Sequence, residues 1–342
     1  MFDGLFDLQI RLDRIDRNCD PLAMLDEMID WELFRPALET LRDKPRKSSA
    51  GARGYDAVLK FKALIVQSLY NLSDEQLEYQ ILDRLSFSRF LGISLGDKVP
   101  DFTTIWQFRE SLSRSGLDRK LFEQFNDYLR ANGFSARKGQ IVDASIVQTP
   151  RQRNTRKENR QIKAGDADKV RQNWPKAKSS QKDTDARWTK KNGKSYFGYK
   201  NHIQVDVKHK LIRDYDVTAA NVHDSQVFER LLDPDNTSAD VWADSAYRSE
   251  AILATLEDWD YREHIQRKGH RNRPLSEREK QGNHTRSKIR SRIEHVFGVQ
   301  TMRAGSMILR CIGKVRARCK IGLRNLAYNM DRYSMLSAAR VR

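Results

Sequence analysis

The sequence predicts an α/β protein in two parts, a helical N-terminal domain over residues 1–135 and a mixed-sheet domain over residues 136–335. Three observations lead there. The apolar period is helical as far as about residue 135 and turns alternating from Lys138 onward. The charge changes at the same place: residues 1–135 hold 19 Lys and Arg against 22 Asp and Glu, and residues 136–342 hold 44 against 24. A chain of 342 residues can also bury two separate cores.

In the first part, residues 56–71 carry Ala57, Leu59, Phe61, Ala63, Leu64, Val66 and Tyr70, apolar over more than half of a helix's circumference. Ser73 or Asp74 is placed to cap a second helix running to about Phe90. Asp101 or Thr103 is placed to cap a third, bearing Ile105, Trp106, Phe108 and Leu112. Short helices with tight turns suit a helix-turn-helix unit or an ordinary packing domain.

In the second part, Gly139–Gln148 reads as a strand. Tyr196–Val207 alternates, with Phe197, Tyr199, Ile203, Val205 and Val207 on one face, and Leu211 to Ala219 continues in an antiparallel neighbour. A helical segment follows from about Asp224 to Leu232, then a short strand closing on Asp244 and a helix after Ser245. A strand near Tyr261–Gln266 and a long helix after about Asn283 complete the order. Three strands in a row followed by alternating helix and strand is the order of a ribonuclease-H-like mixed sheet. Residues 150–195 interrupt it with 15 basic and five acidic side chains and few aliphatic ones, the composition of a solvated basic insertion that orders on a polyanion. From Arg303 to Lys320 no acid occurs, and Val315, Cys319, Gly322, Leu326 and Met330 recur at helical spacing, which predicts a core face.

The net charge of +17 and pI near 9.8 point to a polyanionic partner met by the second part, with double-stranded DNA the natural candidate. Three cysteines without a Cys-x-x-Cys pair argue against a disulfide framework or a zinc ribbon. The N-terminus lacks a secretory pattern, and no run approaches the roughly 18 apolar residues of a spanning helix. The expectation is a cytoplasmic, nucleoid-associated protein with no membrane partner.

Three acids stand out in this basic half: Asp143 in Ile141-Val142-Asp143-Ala144, Asp244 closing Val241-Trp242-Ala243-Asp244, and Glu294 in a helical pattern with Ile289, Ile293, Val296 and Phe297. A carboxylate half-buried among aliphatic side chains is costly unless it is paired or holds a cation. Each has an ordinary reading: backbone donors for Asp143, a helix cap for Asp244, and pairing with Arg290 for Glu294. With the basic residue first, that last pair contributes only about tenths of a kcal/mol. Jointly the three are better explained as metal ligands. Two divalent cations about 3.5–4 Å apart can assist attack on a phosphodiester, and Mg²⁺ takes hard carboxylate oxygens. Asn192-Gly193-Lys194-Ser195 is no phosphate loop, because Trp188 stands where that motif requires glycine. No His-Glu-x-x-His occurs; His202 and His223 are possible secondary residues near the acids.

At these residues the chain resembles the DDE transposases of bacterial insertion sequences, specifically the insertion-sequence-five group. The likeness rests on Asp143, then Ala243-Asp244-Ser245-Ala246-Tyr247, then Arg290-x-x-x-Glu294-x-x-Phe297. Tyr199-Lys200-Asn201-His202, Asn221-Val222-His223-Asp224-Ser225, and the early Asp30-Trp31, Phe61-Lys62 and Trp106-Gln107-Phe108-Arg109 match as well. The resemblance implies Asp143, Asp244 and Glu294 as a catalytic triad binding Mg²⁺, two ions with Mn²⁺ able to substitute. It implies Arg290 beside a substrate phosphate and a ribonuclease-H-like fold. Arg303, Lys200 and Tyr247 are expected to touch DNA. It implies cleavage at the element's terminal inverted repeats and strand transfer to target DNA by a homodimer. A hydrolytic nuclease of the same fold and a DNA-binding regulator derived from a transposase are the alternatives. Related transposases often carry Tyr seven residues before the Glu and Lys seven after it, where this chain has Ser287 and Thr301.

Overall fold

The computed structural model describes residues 7–42, 54–271, 273–305 and 307–341. The chain divides into two compact units, residues 1–125 with 323–342, and residues 126–322.

The first unit is helical. It contains α1 (Asp7–Arg17), α2 (Pro21–Met28), α3 (Arg35–Glu39), α4 (Ala57–Tyr70), α5 (Asp74–Asp83), α6 (Leu85–Leu91), α7 (Phe102–Ser115) and the start of α8 (Leu117–Ala131). Of the expected caps, Ser73 exchanges bonds with Gln76 in a capping box and Asp101 accepts from the Thr104 amide; Asp56, which the sequence reading does not single out as a cap, accepts from the Val58 and Leu59 amides. The expected helix from Ser73 to Phe90 breaks at Arg84, whose extended backbone (φ −104°, ψ 114°) separates α5 from α6. Phe34, Phe61, Phe87 and Phe90 fill the core, with Trp31 edge-on to Phe90 at 5.4 Å. Arg109 holds both Asp74 oxygens (2.6 and 2.7 Å) and the Gln67 carbonyl (2.9 Å), joining α7, α5 and α4 through a satisfied buried charge.

The second unit is built on a six-stranded mixed sheet: β1 (Gln140–Gln148), β2 (Arg187–Lys191), β3 (Lys194–Asp206), β4 (Ile212–Ala219), β5 (Asp240–Ala243) and β6 (Arg262–Ile265). β3 pairs antiparallel with β1 on one side, and with β4 and then β2 on the other. β1, β5 and β6 run parallel. This is the mixed sheet that the element order predicts. One face carries Val142, Val241, Ala243 and Ile265, covered by Phe228, Tyr247 and the helix α12 (Glu250–Asp258). Helix α13 (Glu277–Ala304) packs across β1 and β5 and buries Ile293 and Val296. The last helix, α14 (Lys314–Val341), runs from this unit into the first; Cys319, Leu326 and Met330 are buried as expected, but Val315 is exposed.

Three further expectations change. The segment from Asp224 to Leu232 forms two short 3-10 turns, Asp224–Gln226 and Glu229–Leu231, not one helix. The long helix starts at Glu277, earlier than Asn283, because Ser276 and Glu279 form a capping box. Residues 150–195 are not a structureless arm. They fold as α9 (Arg156–Lys163), α10 (Ala167–Gln172), α11 (Lys176–Ser179) and β2, around a small core of Ile162, Val170 and Trp174. Asn192 and Gly193, both with positive φ (51° and 77°), make the two-residue turn joining β2 to β3. Asn-Gly flanked by strand residues is a strong hairpin signal, carried by the same residues that fail as a phosphate loop.

Candidate active site

Asp143 and Asp244 meet through strand register. β1 and β5 pair Gln140 with Val241 and Ile141 with Trp242, so extending that parallel register sets Asp143 level with Asp244. Adjacent strands lie about 4.8 Å apart, and residues at the same level share a face. The two carboxylates therefore stand side by side where β5 gives way to a loop.

Each is anchored locally. Asp143 accepts from the Ala144 amide (2.8 Å). Asp244 accepts from the Ala246 amide (2.7 Å), capping the 3-10 turn Ser245–Tyr247, so its ordinary reading as a cap is also true. Asp143 has a pKa raised from 3.8 to about 6. Burial is the main cause; the Ala144 amide opposes it, Asp244 adds to it, and Arg290 and Lys191 offset part of it. An acid destabilised by desolvation and by a second acid is what a bound cation would relieve.

Glu294 reaches the pair indirectly. Arg290 donates to Asp143 Oδ2 (3.0 Å) and to Glu294 Oε1 (2.6 Å), one guanidinium bridging two acids. Among the described residues, no three His, Cys, Asp or Glu side chains stand close enough to share one ion. What the structure assembles is a pair of hard oxygen donors, Asp143 and Asp244, with Glu294 exposed and tethered through Arg290. The donor set of the pair suits a divalent cation.

The α13 residues that face this region recur at helical spacing: Asn283, Ser287, Arg290 and Glu294. Asn283 bonds both backbone groups of Arg267 (2.9 and 2.8 Å), and Ser287 accepts from Gln266 Nε2 (2.6 Å), so the helix is fastened to the end of β6. Sequence reasoning singles out Ser287, Arg290 and Glu294 but misses Asn283. The i, i+4, i+7, i+11 spacing is the signal that marks the whole stripe.

Other expected contacts lie elsewhere. β3 alternates, and since Ile203 faces Asp143, His202 sits opposite Ala144 and points to the other side of the sheet. His202 is fully buried, shares a 2.8 Å hydrogen bond between Nε2 and Thr218 Oγ1, and has its pKa lowered to about 4, chiefly by burial. Lys200 donates to Val222 O (2.7 Å) and Asp224 Oδ1 (2.8 Å) and is mostly buried, so it is not available to DNA here. Tyr247 is a core residue packed near Phe228 (5.3 Å), and its hydroxyl pKa is raised by burial. His223 is exposed but caps the turn at Asp224–Gln226. Arg303 lies in the last turn of α13, and its side chain is outside the described residues.

The chain shares its sequence pattern with known proteins. The family model described as "Transposase DDE domain" matches residues 135–330, and that described as "Transposase domain (DUF772)" matches residues 10–111. A solved structure titled "Cryo-EM structure of piggyBac transposase synaptic complex with hairpin DNA (SNHP)" is similar at a TM-score of 0.50 with 12% identity, over 94% of this chain and 76% of that one, a likeness of fold alone. The first match spans more than half of the chain and takes in both strand-borne acids, Arg290 and Glu294, and on that ground this chain belongs to the DDE transposases.

Proposed function

We propose that this transposase, an enzyme of the insertion-sequence-five group, cuts double-stranded DNA at the terminal inverted repeats of its element and joins the freed ends to target DNA. The catalytic acids are Asp143, Asp244 and Glu294, and the metal is Mg²⁺. The reading is supported chiefly by one observation, the parallel pairing of β1 with β5 in a basic unit, whose register, carried two residues further, brings Asp143 level with Asp244 just past the end of β5.

Asp143 and Asp244 would hold the metal, and a divalent cation bound there supplies positive charge at the scissile phosphate and a stronger oxygen nucleophile. The chain's own groups do the rest. The sheet holds both aspartates rigidly, so the carboxylate geometry is fixed before DNA arrives. Arg290 orients Asp143 and carries positive charge to a phosphate oxygen. In the joining step, the 3′-hydroxyl of the cut end gives up its proton and its oxygen forms a bond to a target phosphorus. The target's own 3′ oxygen leaves with its bonding electrons and takes up a proton. No covalent bond to the protein is required. Two ends must be handled together, which fits a homodimer on DNA. The protein would act in the cytoplasm, at the nucleoid.

The test is a Mg²⁺-dependent cleavage assay on DNA carrying the inverted repeats, with Asp143→Asn, Asp244→Asn and Glu294→Gln. Each should lose strand cleavage by at least ~10³-fold and keep DNA binding. Asn caps about as well as Asp, so Asp244→Asn should also keep its thermal stability. Retained cleavage in one variant removes that residue from the catalytic set. Cutting without joining of pre-cut ends would identify a hydrolytic nuclease, and tight binding without cutting would identify a regulator.

A further inference from the structure

The loop that follows β6 carries a charge that folding does not require. From His264 to Ser276 no acid occurs, while Arg267, Lys268, Arg271 and Arg273 fall close together. Cations gathered in this way repel one another. Where matching acids exist, the structure uses them: Arg267 pairs with Glu279 (3.2 Å) and Lys280 with Glu277 (2.7 Å) at the start of α13. Lys268, Arg271 and Arg273 are exposed, and none of them makes an ion pair among the described residues.

The place of this loop is fixed by hydrogen bonds. β5 and β6 run parallel in a register that ends with Ala243 opposite Ile265, and the Gln266 amide donates to Ala243 O (3.1 Å). Gln266 therefore stands beside Asp244, one strand spacing of about 4.8 Å away, and the loop leaves the sheet from the same edge as that acid. The carboxyl ends of parallel strands are where open α/β sheets bind their ligands. The base of the loop is fastened to α13 by both Asn283 bonds to the Arg267 backbone and by the Gln266 bond to Ser287. Farther out, His270 and Arg273 exchange backbone bonds (3.0 and 3.1 Å). Gly269 lies against Leu275, whose amide nitrogen an added Cβ would meet at 3.3 Å. The loop is thus held in shape, and its cations are presented without the entropy cost of ordering a free segment.

We propose that residues 267–273 form a phosphate-binding loop for the DNA end, in which Lys268, Arg271 and Arg273 bind backbone phosphates flanking the bond to be cut. This rests on the strand-cutting assignment above. The reach of the chain bounds where those phosphates lie. From Gln266 to Arg271 the backbone spans at most about 18 Å, or roughly five base pairs of duplex at about 3.4 Å each. Phosphates carry no base identity, so the loop fixes where the duplex lies and does not read its sequence. A polyanion held there also offsets the mutual repulsion of the cations. Arg267, already matched to Glu279, braces the loop and is not one of its contacts.

The experiment compares the full chain with its K268Q/R271Q/R273Q variant in equilibrium binding to a duplex that carries the inverted repeat and its flank. The variant's salt slope should be shallower by about 2.7, at about 0.9 for each phosphate no longer neutralised. Between about 50 and 200 mM salt, the affinity of the unaltered protein should therefore fall roughly 40-fold further than the variant's. The charge-keeping variant K268R/R271K/R273K should retain the full slope. Phosphates are then replaced one at a time by neutral methylphosphonates. Replacements within about five base pairs of the tip of the repeat should weaken the unaltered protein and leave the glutamine variant unaffected. Its melting temperature should hold, because the three side chains have no ion pair to lose. An unchanged salt slope overturns the loop, and so does a glutamine variant that stays sensitive wherever the unaltered protein is sensitive. A fall in melting temperature that accounts for the lost binding overturns it as well. None of these readouts needs cleavage: if the unaltered protein binds the DNA and cuts nothing, the strand-cutting assignment fails, and the salt slope and the methylphosphonate pattern still decide the loop.

Discussion

Asp143 carries most of the electrostatic cost of the site. Its carboxyl titrates near 6 in the folded protein against 3.8 ordinarily, so between those values the folded state binds more protons than the unfolded one. Stability from this group is full below about pH 4 and is lost as the pH rises through about 6. His202 runs the other way: its pKa is lowered from 6.5 to about 4, so it contributes stability above about 6.5 that is lost as the pH falls toward 4. The two slopes oppose each other, and the profile of the unaltered protein will conceal both. The difference between the unaltered protein and Asp143→Asn isolates the first. In chelator, that difference in unfolding free energy should shift against the unaltered protein by about 3 kcal/mol at most between about pH 4 and 7. Urea unfolding at several pH values measures it. A flat difference would show that Asp143 is not desolvated.

The insertion between β1 and β3 shows what an element can hide from composition. Its helices α9–α11 are strongly basic, yet Ile162, Val170 and Trp174 close a small core. Trp174 Nε1 donates to Glu158 Oε1 (2.7 Å), which also accepts from Lys178 (2.5 Å), while Glu158 completes the capping box of Thr155. The pKa of Glu158 is lowered to about 2, chiefly by the Lys178 hydrogen bond. One aromatic ring thus holds three helices together. Trp174→Ala should destabilise this piece by roughly 3 kcal/mol and remove hydrogen-exchange protection from residues 155–180 only. Protection in β3, over residues 197–206, should survive. Loss in both places would show that the insertion folds as one cooperative unit with the sheet.

At the scale of the whole molecule, the compact units do not follow a single cut in the chain. Residues 323–342 belong with residues 1–125, where Tyr333 meets Phe125 edge-on at 6.1 Å. Removing everything after residue 322 takes away buried Leu323, Leu326, Ala327 and Met330 as well. Such a truncation should unfold the helical unit while the sheet persists, visible in calorimetry as the loss of one transition. The basic excess lies in the other unit, so DNA binding by the truncated chain should keep most of its salt dependence.

What the sequence determined by itself was what short-range patterns encode. The caps at Ser73 and Asp101 were legible because capping is settled within about four residues. The strands at 139–148 and 196–207 were legible because alternation is a local fact. Tertiary structure alone decided which acids adjoin. Asp143 and Asp244 are far apart along the chain, and only the parallel pairing of β1 with β5 makes them neighbours. It also decided that Lys200, His202 and Tyr247 turn inward, since a strand's alternation does not say which face of the sheet will be covered. Arg290, separated from Asp143 by 147 positions, bonds it only because α13 lies across β1. Long-range contacts such as these are fixed by the packing of whole elements, a property that no local window of residues contains.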